Sequence, residues 1–227
     1  MRRDASGASD AAVGAGVRSG ARTLALLTVL GALVGALAGA GSDEVRLALR
    51  PGELSLGRSD APLTMVEFTD YQCPYCRRFQ AEVWPKLKHE YIDTGKLRYI
   101  ARDLPLAFHA SAAPAAEAAH CAGEQGKFWD MHAALLGGAA DLASGGIERR
   151  ARALGLDMTG FGECVARNKY AGLIAAHVRE ADAAGIDGTP GFIIGRAKHD
   201  ELDGVRVEGA QPYEEFSELL HELLAEK

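Results

Sequence analysis

Two cysteines separated only by Pro74 and Tyr75 stand just after a short apolar run, and no other feature limits this chain as much. The run Leu63–Thr69 reads LTMVEFT, the composition of a buried strand. Cys73-Pro74-Tyr75-Cys76 follows after three residues. Pro74 suits the first position of a helix, where a missing N–H costs nothing. A helix is predicted over residues 71–91, beginning near Cys73, kinked at Pro85 and ended by Gly95. Residues 96–101 (KLRYIA) form a second strand. Strand, helix and strand in so short a stretch predict a parallel β-α-β unit.

Beyond it, alanine is abundant and apolar residues recur at helical spacing. Helices are predicted over residues 110–122, 127–136, 147–154, 160–167 and 170–184. Strands return at residues 191–195 (GFIIG) and 205–208, and a last helix covers 212–226. That helix carries Phe216, Leu219, Leu220 and Leu223 on one face and Glu214 and Glu215 in its favourable first turn. The order β-α-β, helices, β-β-α predicts an α/β fold: a thioredoxin-like frame with a helical insertion over about residues 107–185.

The N-terminus differs in kind. Residues 1–22, rich in Gly, Ala, Ser and Arg, are expected to be a disordered tail. No charged residue occurs from Thr23 to Ser42, and Arg2, Arg3, Arg18 and Arg22 precede that run against Asp4 and Asp10. Basic residues ahead of an apolar stretch are the pattern of an export signal. The stretch is long enough to span a membrane, and Ala36-Leu37-Ala38 offers a small-residue cleavage site, so an uncleaved anchor and a cleaved signal peptide both fit. Either way the segment enters the membrane at least transiently. Residues 43–60, with Pro51-Gly52, are expected to be a linker, and the folded domain to occupy 61–227. Export implies an oxidising, extracytoplasmic compartment, which suits four cysteines. The net charge of −6 argues against a sequence-independent grip on nucleic acid.

Cysteines at the start of a helix sit among unpaired backbone N–H groups at its positive end. That environment favours a thiolate, so Cys73 is the candidate nucleophile and Cys76 the resolving thiol. Half of a zinc site and a purely structural short disulfide are the alternatives, but Cys121 and Cys164 offer no second ligand pair at zinc spacing. Glu67 is a lone acid in an apolar strand, six residues before Cys73. Buried beneath the pair, it would have a raised pKa and could accept the proton of Cys76; on an exposed strand face it would do neither. Thr189-Pro190, between Gly188 and Gly191, marks a tight turn whose backbone could meet an extended peptide. Its bond is either cis or an ordinary trans linkage. Cys121 and Cys164 are either paired or separate buried thiols. His109, His120 and His132 lack metal-ligand spacing and are expected on the surface or in packing roles, with no metal. Phe128 and Trp129 are expected to anchor the core.

The blocks SDAPLTMVEFTDYQCPYC, Trp84-Pro85, RDLPLAFH, CAGEQGKFW, DGTPGFIIG and GAQPYEEF, in this order from about Pro51 to the C-terminus, resemble the DsbA-like thioredoxin-fold oxidoreductases of bacterial cell envelopes. The resemblance implies an exposed nucleophile at Cys73, its buried partner at Cys76, a buried acid at Glu67 and a cis-proline at Pro190 preceded by Thr189. It implies a second disulfide joining Cys121 and Cys164 and a substrate groove reaching Thr189, Pro190 and Tyr75. It also implies exported protein substrates, a membrane redox partner that resets the pair, and no cofactor beyond the Cys73–Cys76 disulfide. The best-known oxidases of the family have His where this chain has Tyr75. Tyr75 supplies no positive charge, so a milder oxidant is expected, and a reductase or isomerase is the alternative. A non-catalytic peptide-binding or chaperone module is the alternative of another class.

Overall fold

The computed structural model describes residues 44–226 apart from 138–141 and 144. The expected tail (1–22) and apolar segment (23–42) lie outside the described residues. Among these, six strands form one sheet: β1 (Glu44–Ala48), β2 (Ser55–Leu56), β3 (Leu63–Thr69), β4 (Leu97–Asp103), β5 (Gly191–Lys198) and β6 (Glu201–Glu208). Their order is β1-β6-β5-β3-β4-β2. β3 and β4 run parallel, from Leu63 beside Leu97 to Thr69 beside Asp103, and the other pairs are antiparallel. The central strand β3 is covered on both faces, which is why its sequence is a near-continuous apolar run.

Side chains alternate across the sheet. Leu63 and Met65 face a core shared with Phe79, Leu87, Phe216 and Leu220. Val66 and Phe68 face the opposite core with Leu47, Ala181, Ile193 and Leu202. Glu67 therefore stands on the Met65 face, the side that carries the helix after the cysteine pair.

That helix, α1, covers residues 74–92. α-Helical turns at Pro74–Arg78 and Trp84–Leu87 alternate with wider π turns at Phe79–Val83 and Lys88–Ile92. Pro85 donates no N–H and its ring crowds the preceding turn. The helix accommodates this by widening ahead of the proline, where the Trp84 N–H bonds the Phe79 carbonyl five residues back. The insertion consists of α2 (Ala112–Gly123), α3 (Phe128–Gly137), α4 (Gly146–Ala153), α5 (Met158–Ala166) and α6 (Ala171–Ala183), and α7 (Tyr213–Ala225) closes the chain. Cys121 of α2 and Cys164 of α5 are disulfide-bonded, with Cα atoms 5.8 Å apart. No helix among the described residues is long and apolar enough to cross a membrane.

The expectation of a linker over 43–60 is corrected here. β1 extends the sheet along β6, and β2 pairs with β4. Leu47 and Leu49 are buried, and the guanidinium of Arg102, fully buried in β4, draws the rest of the segment in. Arg102 donates to both carboxylate oxygens of Glu53 (2.7 and 3.1 Å), to the Ala48 carbonyl (2.6 Å) and to Glu180 (3.0 Å). A buried cation with those partners removed would be left uncompensated. Pro51-Gly52 is a turn between two strands and not the mark of a tether.

Candidate active site

β3 ends at Thr69, and the next residue organises the site. The buried carboxylate of Asp70 accepts the N–H of Gln72 (2.7 Å) and of Cys73 (3.1 Å) on Oδ1. Its Oδ2 accepts the N–H of Leu106 (2.8 Å) and lies 2.8 Å from His109 Nδ1. One side chain thus caps the approach to α1 and ties residues 106–109 to it. The sequence signal is an aspartate whose side chain reaches the N–H groups two and three residues on, the spacing of an Asx turn. Sequence reasoning missed it.

Cys73 occupies the cap position of α1 and Cys76 lies one turn in; both are free thiols. The exposure expected of Cys73 is corrected here: both thiols are buried, Cys73 at 3% exposure with its sulfur against the Thr189 turn. The floor beneath α1 is fixed by three rings: Phe79 of α1 meets Phe192 (4.8 Å between centroids) and Phe216 (5.5 Å), which meet each other at 5.0 Å. Phe192 also anchors the start of β5, and with it the turn before that strand. The Thr189–Pro190 bond in that turn is cis. The Cys73 thiol donates to the Thr189 carbonyl at 3.2 Å. The Pro190 carbonyl accepts the Gly209 N–H at 2.8 Å. The turn and Glu208, Gly209 and Gln211 line a cleft of about 380 Å³. Tyr75 is 55% exposed, with the Arg78 guanidinium 5.2 Å from its ring centroid.

The two thiols have opposite electrostatics. Cys73 is lowered to about 5, first by the hydrogen bond from the Cys76 thiol, against its own burial, and then by the Thr189 hydroxyl and the N–H groups of Cys76 and Tyr75. That hydroxyl is buried and has no other partner, so its hydrogen is available to a thiolate. Cys76 is pushed well above the usual thiol range by burial, then by its bond to Cys73 and by the charge of Glu67. Glu67 is buried, and burial raises its pKa to about 7 against the hydroxyls of Tyr99 and Thr69. The Tyr99 hydroxyl donates to Glu67 Oε2 at 2.5 Å, and Oε1 has no partner.

The histidines hold buried polar contacts. Tyr71 Oη lies 3.0 Å from Nδ1 of His132, whose burial lowers its pKa to about 4 and keeps it neutral. His120 Nε2 and His177 Nδ1 approach Asp103 Oδ2 at 2.7 and 3.0 Å. Burial alone would raise the pKa of Asp103; the two imidazoles overcome that and hold it well below the usual carboxylate range. Phe128 is buried, and Trp129 packs against the core beside Tyr99.

A family model described as Thioredoxin matches residues 50–222. The chain belongs to the thioredoxin family. The solved structure of Wolbachia pipientis alpha-DsbA1 superposes on this thioredoxin-family chain with a TM-score of 0.68 and 27% identity, covering 78% of this chain and 93% of that one. The Na(+)/H(+) antiporter NhaA 3 of Salinispora tropica is 42% identical over 144 residues, 63% of this chain and 22% of that protein. Disulfide bond formation protein D of Bacillus subtilis is 34% identical over 87 residues, 37% of this chain and 38% of that protein. This DsbA-like member therefore spans about a fifth of the length of the antiporter relative it matches.

Proposed function

We propose that this chain exchanges disulfides with exported proteins outside the cytoplasm, through the Cys73–Cys76 pair, and that it acts mainly as a disulfide donor. The observation that carries the reading is Cys73 at the amino end of α1, surrounded by donors, beside the cis Thr189–Pro190 turn and above a buried Cys76.

In the donating direction, a substrate thiolate attacks Cys73 Sγ of the enzyme disulfide and a mixed disulfide forms. Cys76 leaves as a thiolate that burial disfavours, and Glu67 gives it a proton. A second substrate thiolate then attacks the substrate sulfur, the substrate disulfide forms, and Cys73 departs as a stabilised thiolate. A membrane redox partner returns the dithiol to the disulfide. Run backwards, Cys73 thiolate attacks a substrate disulfide, and Cys76 resolves the adduct while Glu67 takes its proton. With a pKa near 7, Glu67 is present in both forms at neutral pH. Both directions proceed with no cofactor. The cleft at Thr189 and Pro190 suits an extended peptide held by its backbone, and the exposed Tyr75 offers that peptide a further contact. The chain would work after cleavage of residues 23–42 or while anchored by them.

A thiolate stabilised in the dithiol state favours that state and makes the disulfide a stronger oxidant. Equilibration of residues 44–227 with glutathione buffers should give a potential of about −120 to −180 mV, the range of oxidases and isomerases. A potential near −270 mV, that of thioredoxin, would make the chain a reductase.

A further inference from the structure

We propose that Tyr99 is the positioning residue of this site: its hydroxyl fixes Glu67 Oε2, so that Oε1 alone is left to exchange a proton with Cys76. The inference rests on the disulfide-exchange reading above.

The geometry starts in the sheet. Glu67 pairs with Ala101 and Met65 with Tyr99 in the parallel β3–β4 ladder, so Tyr99 and Glu67 share a face two positions apart. Ala101, directly beside Glu67, is small and leaves room for the phenol. The Tyr99 ring is confined by Trp84 of α1 (4.4 Å between centroids) and Trp129 of α3 (5.6 Å). Its hydroxyl reaches Glu67 Oε2 at 2.5 Å, and both residues are buried. The two carboxylate oxygens are therefore unequal. Oε2 is bonded, and Oε1 is buried without a partner. A buried acceptor left unpartnered carries a desolvation cost and is rare in folded proteins. The titratable groups that feel the charge of Glu67 are the thiol of Cys76 on α1, Tyr71 on the approach to α1, and Tyr99 itself; the Thr69 hydroxyl also acts on the carboxyl. Tyr71 is engaged with His132 of α3. Cys76 accepts the Asp70 N–H at 3.4 Å, gives its hydrogen to Cys73 and feels the charge of Glu67, so once Cys73 is bonded to a substrate sulfur that hydrogen is released for Oε1.

A hydrogen bond to a carboxylate is stronger than the same bond to a carboxylic acid, so Tyr99 favours the ionised, proton-accepting form. It therefore opposes burial, which would otherwise remove Glu67 from the neutral range. Loss of a bond to a charged group raises the pKa by about one unit.

The test uses the reduced full-length chain and excess oxidised glutathione in stopped flow, followed by tryptophan fluorescence. The concentration-dependent phase reports attack by Cys73, and the plateau reports resolution by Cys76. Tyr99→Phe should leave the first phase unchanged. It should move the pH midpoint of the plateau upward by about one unit, a loss of about fivefold at pH 7. Fluorotyrosine placed at position 99, a stronger donor of nearly the same size, should move the midpoint downward. Glu67→Gln should remove the transition. If Glu67→Gln removes it while neither change at position 99 moves it, the role of Tyr99 is wrong and that of Glu67 stands. If the transition survives Glu67→Gln, the proton-exchange role of Glu67 falls, and with it the role of Tyr99.

Discussion

Cys73→Ser should reduce disulfide exchange to the background rate, whereas Cys76→Ser should keep the first attack and accumulate mixed disulfides with substrate. The two thiols stand in different environments, and only one is suited to open the reaction. Cys73 has donors on several sides in the Thr189 turn and the first N–H groups of α1, and its pKa of about 5 leaves it a thiolate at neutral pH. Serine keeps the shape and has no comparable nucleophile, so the loss should be complete within the assay. Cys76 is held protonated by burial and by its neighbours. Without it the Cys73–substrate adduct forms and has no internal thiol to release it. Non-reducing electrophoresis with mass spectrometry of a cysteine-peptide substrate separates the two variants. Equal activity loss with no trapped adduct in Cys76→Ser would contradict the assignment of roles.

A second large effect concerns stability. Cys121→Ala with Cys164→Ala should lower the unfolding free energy by up to about 4 kcal/mol, the loop-closure value for the bridge's 43-residue separation. For a domain of this size that corresponds to a fall in Tm of about 10 °C. The bridge joins α2 to α5, away from the Cys73–Thr189 contact, so the reduction potential should change little. Alanine avoids burying new hydroxyls at two sites that are 1% and 6% exposed. Guanidinium denaturation under oxidising conditions measures the difference. A loss below about 1 kcal/mol would show that α2 and α5 stay docked in the unbridged protein without help from the cross-link.

Much of the frame was legible because local signals agreed. LTMVEFT, the cysteine pair and Pro74 place a strand-to-helix junction without ambiguity, and the insertion helices follow from spacing alone. β1 and β2 were not legible, because Pro51-Gly52 read as the mark of a linker. Their place depends on the buried Arg102, whose partner Glu53 lies 49 residues away in sequence. β6 begins at Glu201, earlier than expected, because its first residues are polar and lie at the hairpin with β5. Glu67 could be named from sequence, but alternation could not decide its burial, since β3 is covered on both faces. Tyr99 could not be named at all. Its contact with Glu67 arises from the register of two strands 32 residues apart, and short-range periodicity carries no information about that.

The most direct measurement is the ultraviolet thiolate absorbance of the reduced protein across pH, with Cys121 and Cys164 kept oxidised. A depressed thiol pKa stabilises the folded dithiol fully above the unfolded thiol's value, and this stabilisation is lost as pH falls through the folded value. The reduced form should accordingly lose its stability advantage over the oxidised form between about pH 8.5 and 5. The absorbance should show one transition with a midpoint near 5, from Cys73, while Cys76 stays protonated through neutral pH. A single transition near 9, the ordinary thiol value, would mean that the helix end and the Thr189 turn do not stabilise a thiolate, and would remove the basis for disulfide donation.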